Sequence, residues 1–92
     1  LFSIISIPKQ HINGKCYHPT EKPVALLEYL IRTYTNEDML VLDNCMGSGS
    51  TGVACINTNR KFIGIELDEK YYDISCKRIK DAINEKEQLL LK

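Results

Sequence analysis

The chain has 92 residues, which is enough for one small domain with a modest core. Its twelve basic and twelve acidic side chains cancel, so the net charge offers no general attraction to a nucleic-acid backbone. The hydrophobic content of 43% suits a globular domain, and no apolar run approaches the roughly 20 residues of a membrane helix. We therefore expect a single domain over residues 1–92, with no membrane partner.

The first predicted element is a strand at Phe2–Ile7, a short β-branched run that ends at Pro8. A polar stretch follows, and a helix is predicted to begin at the segment His18–Pro23, with Thr20 able to cap it and a proline near its first turn. Helical periodicity places five apolar side chains on one face of this helix, namely Val24, Leu27, Leu30, Ile31 and Tyr34.

A second strand is predicted where the apolar run Met39–Leu42 ends in Asp43. A glycine-containing turn leads into a helix from about Thr51 to Asn57, and a third strand follows at Phe62–Glu66. Two strands joined by a helix should be parallel. The last helix is predicted to begin near Asp68 or Glu69, with an apolar stripe of Tyr72, Cys76, Ile79 and Ile83.

The turn after Asp43 has the layout of a nucleotide-type cofactor loop. Gly47 and Gly49 permit backbone angles that a side chain would forbid, and the helix that follows offers free N–H groups at its start. Glu66 closes the next strand 23 residues after Asp43, and an acid about 20 residues beyond such a loop binds ribose hydroxyls in dinucleotide sites. The order strand, glycine loop, helix, strand and acid is a more specific signal of a cofactor site than a lone G-x-G.

The four cysteines, Cys16, Cys45, Cys55 and Cys76, form no C-x-x-C pair. Their wide spacing predicts reduced thiols in a cytoplasmic protein. No metal site is predicted, because Cys16 and His18 lack a second close pair of ligands. The chain begins at Leu1 within an apolar stretch. We therefore expect it to be a piece of a longer protein.

Three segments resemble the C-terminal part of DNA amino-methyltransferases, in the motif order X, I, II of the permuted, beta-type members. The segment His18–Pro23 is similar to motif X, and Asp43–Thr51 is similar to motif I, usually D-P-F-x-G-S-G-T-T. Gly64–Asp68, followed by two tyrosines, is similar to motif II. Asn44 and Cys45 depart from the usual Pro and Phe, but the glycines and small hydroxyl residues are kept. The resemblance runs from about His18 to Ile79.

The resemblance implies a partial Rossmann-like α/β methyltransferase fold, with parallel strands flanked by helices. It also implies S-adenosylmethionine as cofactor and DNA as the substrate, with adenine N6 favoured over cytosine N4. The family's catalytic motif, [D/N/S]-P-P-[Y/F/W], does not occur, since Pro8, Pro19 and Pro23 are all isolated. That motif holds the flipped base, so we expect a cofactor-binding part that is inactive alone.

The resemblance also assigns roles to individual residues, each beside a simpler structural role. Glu66 would accept the ribose hydroxyls, or else cap the next helix; Asp43 would meet the methionine ammonium, or else cap the loop. Asp68, beside Leu67, would reach the adenine, or else serve as an N-cap. The remaining expected cofactor contacts are Thr20, Lys22, Cys45, Gly47, Ser48, Gly49 and Ser50, of which the serines could equally cap the helix and the glycines form an ordinary turn.

Two other classes of function remain open from the sequence. One is a non-catalytic nucleotide-binding module, and the other is a ligand-free remnant that an oligomeric partner keeps folded. The segment His18–Pro23 favours a methyltransferase, because a generic dinucleotide fold has no need of it. Uncovered sheet edges predict a homo-oligomer or a complementing N-terminal segment, with contacts through Leu1–Ile7 or Leu89–Leu91.

Overall fold

The computed structural model describes the backbone of residues 2–6 and all of residues 22–91. Strands and helices alternate along this part of the chain, as the sequence predicts. In chain order the elements are β1 (Phe2–Ser6), α1 (Val24–Tyr34), β2 (Leu40–Asp43), α2 (Ser50–Asn57), β3 (Lys61–Glu66) and α3 (Glu69–Leu90). No helix within these ranges is long and apolar enough to cross a membrane.

The strands form one parallel sheet in the order β1-β3-β2. Asp43 at the end of β2 lies opposite Gly64, so β3 continues two residues further, to Glu66. Ser6 of β1 lies opposite Glu66 on the other side. The carboxyl ends of all three strands therefore meet at one edge of the sheet, which confirms the predicted parallel pairing.

The core is centred on Phe62 of β3, whose side chain is completely buried. Gly52 of α2 allows the helix to approach it closely, because a Cβ at this position would lie 2.9 Å from a ring carbon of Phe62. It would also lie 2.5 Å from Cδ1 of Ile79 on α3. Helices α2 and α3 and strand β3 thus meet at one tightly packed point. The other buried apolar residues are Ile31, Met46, Ala54, Cys55, Ile56 and Ala82.

The predicted apolar face of α1 is only partly buried. Ile31 is buried, and Val24 and Leu27 pack against the core. Tyr34 is 80% exposed, because it is the last residue of α1 and lies beyond Ile31, the last buried position. Pro23 occupies the N-cap position of this helix without a side-chain hydrogen bond; the predicted capping residue, Thr20, lies outside the described residues.

Helix α3 begins after Asp68, at the predicted place, and continues to Leu90. Ile79 is buried, whereas the other members of its predicted stripe are half-buried. Two small residues, Ser75 and Ala82, are buried as well. The predicted stripe omits them because it was built from large apolar residues. Helix α3 packs most closely at positions where its side chains are small.

A buried arginine holds the helices together at the amino ends of the strands. Arg60 Nε donates to Thr35 Oγ1 at 3.0 Å and its Nη2 donates to the Thr35 carbonyl at 2.9 Å. Its Nη1 donates to the Thr58 carbonyl at 2.5 Å. Thr35 and Thr58 are the C-caps of α1 and α2, so Arg60 places a positive charge where both helix dipoles are negative.

Candidate cofactor-binding site

The loop between β2 and α2 has the backbone conformation that its glycines predict. Gly47 has φ 54° and Gly49 has φ 87°, a left-handed region that other residues adopt at a cost. The Met46 amide donates to the Ile65 carbonyl at 3.1 Å, and the Gly49 amide donates to the Met46 carbonyl at 2.9 Å. The first bond holds the loop against the carboxyl end of β3, and the second closes a turn within the loop.

Glu66 connects this loop to the turn that follows β3. Its Oε1 accepts the Gly47 N–H at 2.9 Å, and its Oε2 accepts the Asp68 N–H at 2.8 Å. The residue is 1% exposed, and a buried carboxylate is tolerated only with such hydrogen bonds. The predicted proximity of the glycine loop and Glu66 is confirmed, and the structure adds that the carboxylate itself fixes the loop.

Two further predicted acids cap the segments that follow them. Asp43 Oδ1 accepts the Cys45 N–H at 3.0 Å, which forms a turn at the start of the loop. Asp68 Oδ1 accepts the N–H groups of Lys70 and Tyr71 at 2.9 and 3.3 Å, so Asp68 is the N-cap of α3. These are the structural roles that the sequence left open beside ligand binding, and ligand contacts by either residue stay a prediction.

An arginine that sequence reasoning did not identify lies beside the two serines of the loop. Arg78 Nη1 lies 3.0 Å from the Ser48 carbonyl oxygen and 2.9 Å from Ser48 Oγ. The same nitrogen lies 3.2 Å from Ser50 Oγ. The N-cap position of α2 is Gly49, so neither serine is the N-cap residue that the sequence suggested. Because Arg78 is 30 residues from Ser48, no local motif could have linked them.

Gly49 is required by packing as well as by its backbone angle. A Cβ at Gly49 would lie 2.8 Å from Ser75 Cβ and 3.0 Å from Ser75 Cα, closer than packed carbon atoms approach. The sequence interpretation gave this glycine a close approach to a ligand. In the structure it allows helix α3 to approach the loop, so its substitution would disturb the fold directly.

The other predicted contacts differ in what the structure says of them. Leu67 is half-buried after β3, next to Asp68, and Lys22 is exposed just before α1. Thr20 lies outside the described residues. Cys45 is exposed and disulfide-bonded, whereas Cys55 and Cys76 are free thiols. The prediction of four reduced thiols is therefore wrong for Cys45, because the fold forms a pair that sequence spacing does not reveal.

A cleft of about 270 Å³ lies at the opposite end of the sheet, near the amino ends of β2 and β3. Two lysines, Lys61 and Lys86, line it, and Lys86 donates to the Ile56 carbonyl at 2.7 Å and to Asn59 Oδ1. This ammonium group thus binds a carbonyl of the last turn of α2. Within residues 22–91, no group of three or more His, Cys, Asp or Glu residues is arranged to hold a metal ion.

Comparison with known proteins identifies the family. The model of the DNA methylase family of N6/N4 methyltransferases matches residues 1–77. The putative methylase YubD of Escherichia coli K12 is 46% identical over 67 residues, which are 73% of this chain and 30% of YubD. The chain therefore belongs to the N6/N4 DNA methylase family.

Solved structures agree with this assignment. The M1.HpyAVI–SAM complex superposes with a TM-score of 0.65 at 49% identity, covering 71% of this chain and 32% of that one. The cytosine-N4-specific PvuII DNA methyltransferase superposes with a TM-score of 0.62 at 34% identity, covering 73% and 27%. The predicted α/β methyltransferase fold is confirmed. The chain spans about a third or less of the length of these relatives.

Proposed function

We propose that the chain is the S-adenosylmethionine-binding part of a DNA amino-methyltransferase. The observation that carries the proposal is the Glu66 carboxylate, which joins the glycine loop to the turn after β3 at the carboxyl ends of the strands. Ligands of open α/β folds bind at this edge. The M1.HpyAVI structure, a complex with S-adenosylmethionine, supports the choice of ligand.

The residues at this edge fit the chemistry of that cofactor. A carboxylate is an acceptor-only group, which suits it to bind ribose hydroxyls, and Glu66 lies between the loop and the turn after β3 through its bonds to the Gly47 and Asp68 amides. Because Glu66 is 1% exposed, those hydroxyls reach it only if the loop and the turn after β3 move apart. Leu67 and Asp68 follow Glu66 directly, on the side where the adenine would lie.

The methionine end would lie over the start of α2. Asp43 would bind the ammonium group there. Ser48 and Ser50 and the motif X residues Thr20 and Lys22 would bind the carboxylate, while Cys45, Gly47 and Gly49 would line the loop beside the cofactor. When bound, the cofactor supplies a methyl group on a sulfonium, and the protein's task is to orient it toward an exocyclic amine.

The proposed acceptor is an amine of DNA, adenine N6 or cytosine N4, reached within a larger enzyme. The expected preference for adenine stays a prediction, since the matched PvuII enzyme is described as cytosine-N4-specific. We also propose that the 92 residues alone transfer no methyl group, because the sequence has no adjacent prolines and therefore no motif that holds the base. Cytoplasmic localisation and self-association likewise stay proposals.

Calorimetry with S-adenosylhomocysteine and with NAD tests the proposal. S-adenosylhomocysteine should bind, and at about 100 times its dissociation constant it should stabilise the fold by roughly 2.7 kcal/mol. NAD should have no effect. Binding of NAD in preference would favour the nucleotide-binding alternative, and transfer of labelled methyl to DNA by the chain alone would refute its inactivity.

The matched variants are Glu66→Gln and Glu69→Gln. Glu69 is exposed in the first turn of α3, three residues from Glu66, so its substitution controls for the change in net charge. Only Glu66→Gln should weaken binding. Equal weakening by both substitutions would indicate a general electrostatic effect and would contradict a specific role for Glu66.

A further inference from the structure

The feature of the loop that the proposed function does not use is Met46. The motif D-P-F-x-G-S-G-T-T leaves its position open, yet its side chain is only 5% exposed. Met46 packs over Gly64 of β3, where an added Cβ would overlap the methionine sulfur and would lie 2.7 Å from a ring carbon of Phe62. The thioether and the aromatic ring thus share the space that Gly64 leaves open by having no side chain.

Met46 and Gly47 follow β3 in a defined register. Side chains alternate along a strand, so Gly64 and Glu66 lie on the same face of the sheet. Met46 packs against the first of these residues, and the Gly47 amide donates to the carboxylate of the second at 2.9 Å. Between these contacts the Met46 amide donates to the Ile65 carbonyl at 3.1 Å. Successive residues of the loop therefore meet successive positions of the strand.

We infer that Met46 is a positioning residue of the proposed cofactor site, whose packing against Gly64 sets the distance between the glycine loop and Glu66. The inference rests on the proposed function and gives a role to a position that the motif does not specify. Because Met46 is buried, it acts on the cofactor through Gly47 and Glu66. A close-packed interior transmits changes in volume, so atoms removed or added at this contact should shift the loop.

The alternative is that Met46 only fills the core. Loss of its buried atoms would then lower the stability of the fold, but the affinity of the folded chain for its ligand would not change. A positioning role lowers the affinity of molecules that are still folded. Measurements under conditions where every variant is folded therefore separate the two roles.

The experiment measures the affinity for S-adenosylhomocysteine and the stability to urea in the unsubstituted chain, Met46→Ala, Met46→Leu and Ala82→Gly. Met46→Ala should weaken binding roughly tenfold, whereas Met46→Leu, which nearly conserves volume, should stay within about threefold. Ala82 is the control, because it is buried on α3 about two turns beyond Ser75, the residue beside the loop. Ala82→Gly should lower stability and leave the affinity unchanged.

A second set of variants tests the contact itself. Gly64→Ala should weaken binding because its Cβ displaces Met46, and Gly64→Ala combined with Met46→Ala gives that Cβ room. The contact with Phe62 is the same in both, so the comparison isolates Met46. The double variant should bind more tightly than the sum of the two single effects implies. Additive effects would overturn the inference, and if Gly64→Ala does not fold, the series at Met46 decides.

Unchanged affinity of Met46→Ala, with lower stability, would overturn the inference and leave the proposed function standing. Failure of the unsubstituted chain to bind would overturn the proposed function. The positioning role would then be decided without ligand, by hydrogen exchange of the Gly47 amide that Glu66 binds. Met46→Ala should speed this exchange beyond what its loss of stability accounts for, and exchange that follows global stability, as expected for Ala82→Gly, would overturn positioning.

Discussion

The Glu66 carboxylate and the Gly47 amide are 19 residues apart in sequence and 2.9 Å apart in space. The bond joins the ends of two adjacent strands, β2 and β3, through the loop that follows the first and the last residue of the second. Since the second oxygen of Glu66 binds the Asp68 amide, one side chain fixes both segments of the proposed site. Site geometry and fold stability thus depend on the same group.

Glu66→Ala should destabilise the fold as well as weaken cofactor binding. The substitution leaves the Gly47 and Asp68 amides without their acceptor, and a lost hydrogen bond to a charged group costs about 1.5–3 kcal/mol. Urea unfolding should show this loss in the absence of any ligand. If stability is unchanged and only binding falls, Glu66 serves the ligand alone, and the structural role described here is wrong.

Gly49→Ala should destabilise the fold for two separate reasons. The residue has φ 87°, which costs an alanine about 1–2 kcal/mol, and its Cβ would meet Ser75 at 2.8 Å. Adding Ser75→Gly to this variant removes the contact with Ser75 Cβ, whereas the 3.0 Å contact with Ser75 Cα and the cost of φ remain. Denaturation curves of the single and double variants should therefore show partial recovery, after allowance for Ser75→Gly measured alone.

Recovery in this pair would establish the packing explanation for Gly49. Normal stability of Gly49→Ala, with loss of S-adenosylhomocysteine binding, would instead restore the explanation from the sequence, in which this glycine admits a ligand. Gly49 shows how far sequence reasoning extends. Its positive φ follows from the motif, but its contact with Ser75 depends on how α3 packs.

The site residues that the sequence predicts are located by local patterns, whereas the one it misses has partners far away along the chain. Asp43, Glu66 and Asp68 lie at strand ends or helix starts, where the hydropathy pattern and turn chemistry locate them. Arg78 looks like any charged residue of a polar helix face, and its partners Ser48 and Ser50 are 30 and 28 residues away. Only the packing of α2 on α3 brings them together, and no periodicity encodes that contact.

Arg60→Met should cost more stability than Arg32→Met. Arg60 is buried and donates to Thr35 and Thr58, so its loss leaves the buried Thr58 carbonyl without this donor, at about 1–3 kcal/mol, and removes the part-buried bonds to Thr35 as well. Arg32 is an exposed partner of Glu28 at 3.6 Å, and such surface pairs contribute about 0–1 kcal/mol. Comparable unfolding midpoints for the two variants would show that Arg60 is dispensable at the helix ends.

The buried thiol of Cys55 should make the fold sensitive to alkaline pH. Burial raises the pKa of Cys55 from 9.0 to about 12, opposed by the charge of Arg60 and supported by that of Asp43. Between these two values the unfolded chain binds fewer protons than the folded one, so stability falls as pH rises. The contribution is fully present below pH 9 and is lost as pH rises through about 12.

Cys55→Ala should flatten this part of the pH dependence. The measurement is the slope of unfolding free energy against pH above pH 9, since the small cavity left by alanine shifts the whole curve but not its slope. Identical slopes for the unsubstituted chain and Cys55→Ala would show that other groups govern alkaline unfolding.

Strand β2 is an edge strand of the described sheet, on the side of β3 away from β1. Apolar side chains along this strand are exposed. Leu40 and Leu42 are 55% and 62% exposed, and Met39 before them is exposed as well. Edge strands with exposed apolar side chains pair readily with other chains. The sequence prediction placed self-association at Leu1–Ile7 or Leu89–Leu91. Leu89 to Leu91 are exposed, which leaves that prediction open, and we expect the β2 edge to offer a further surface for contact.

We expect the isolated chain to self-associate at micromolar concentration, most simply as a two-fold dimer. Leu40→Lys combined with Leu42→Lys should shift it to the monomer in sedimentation equilibrium, because charge on an edge strand opposes pairing. Leu90→Lys, at the end of α3, tests the alternative surface in the same assay. Dissociation by Leu90→Lys alone would place the contact at the tail of α3, and a monomeric unsubstituted chain would contradict self-association at either surface.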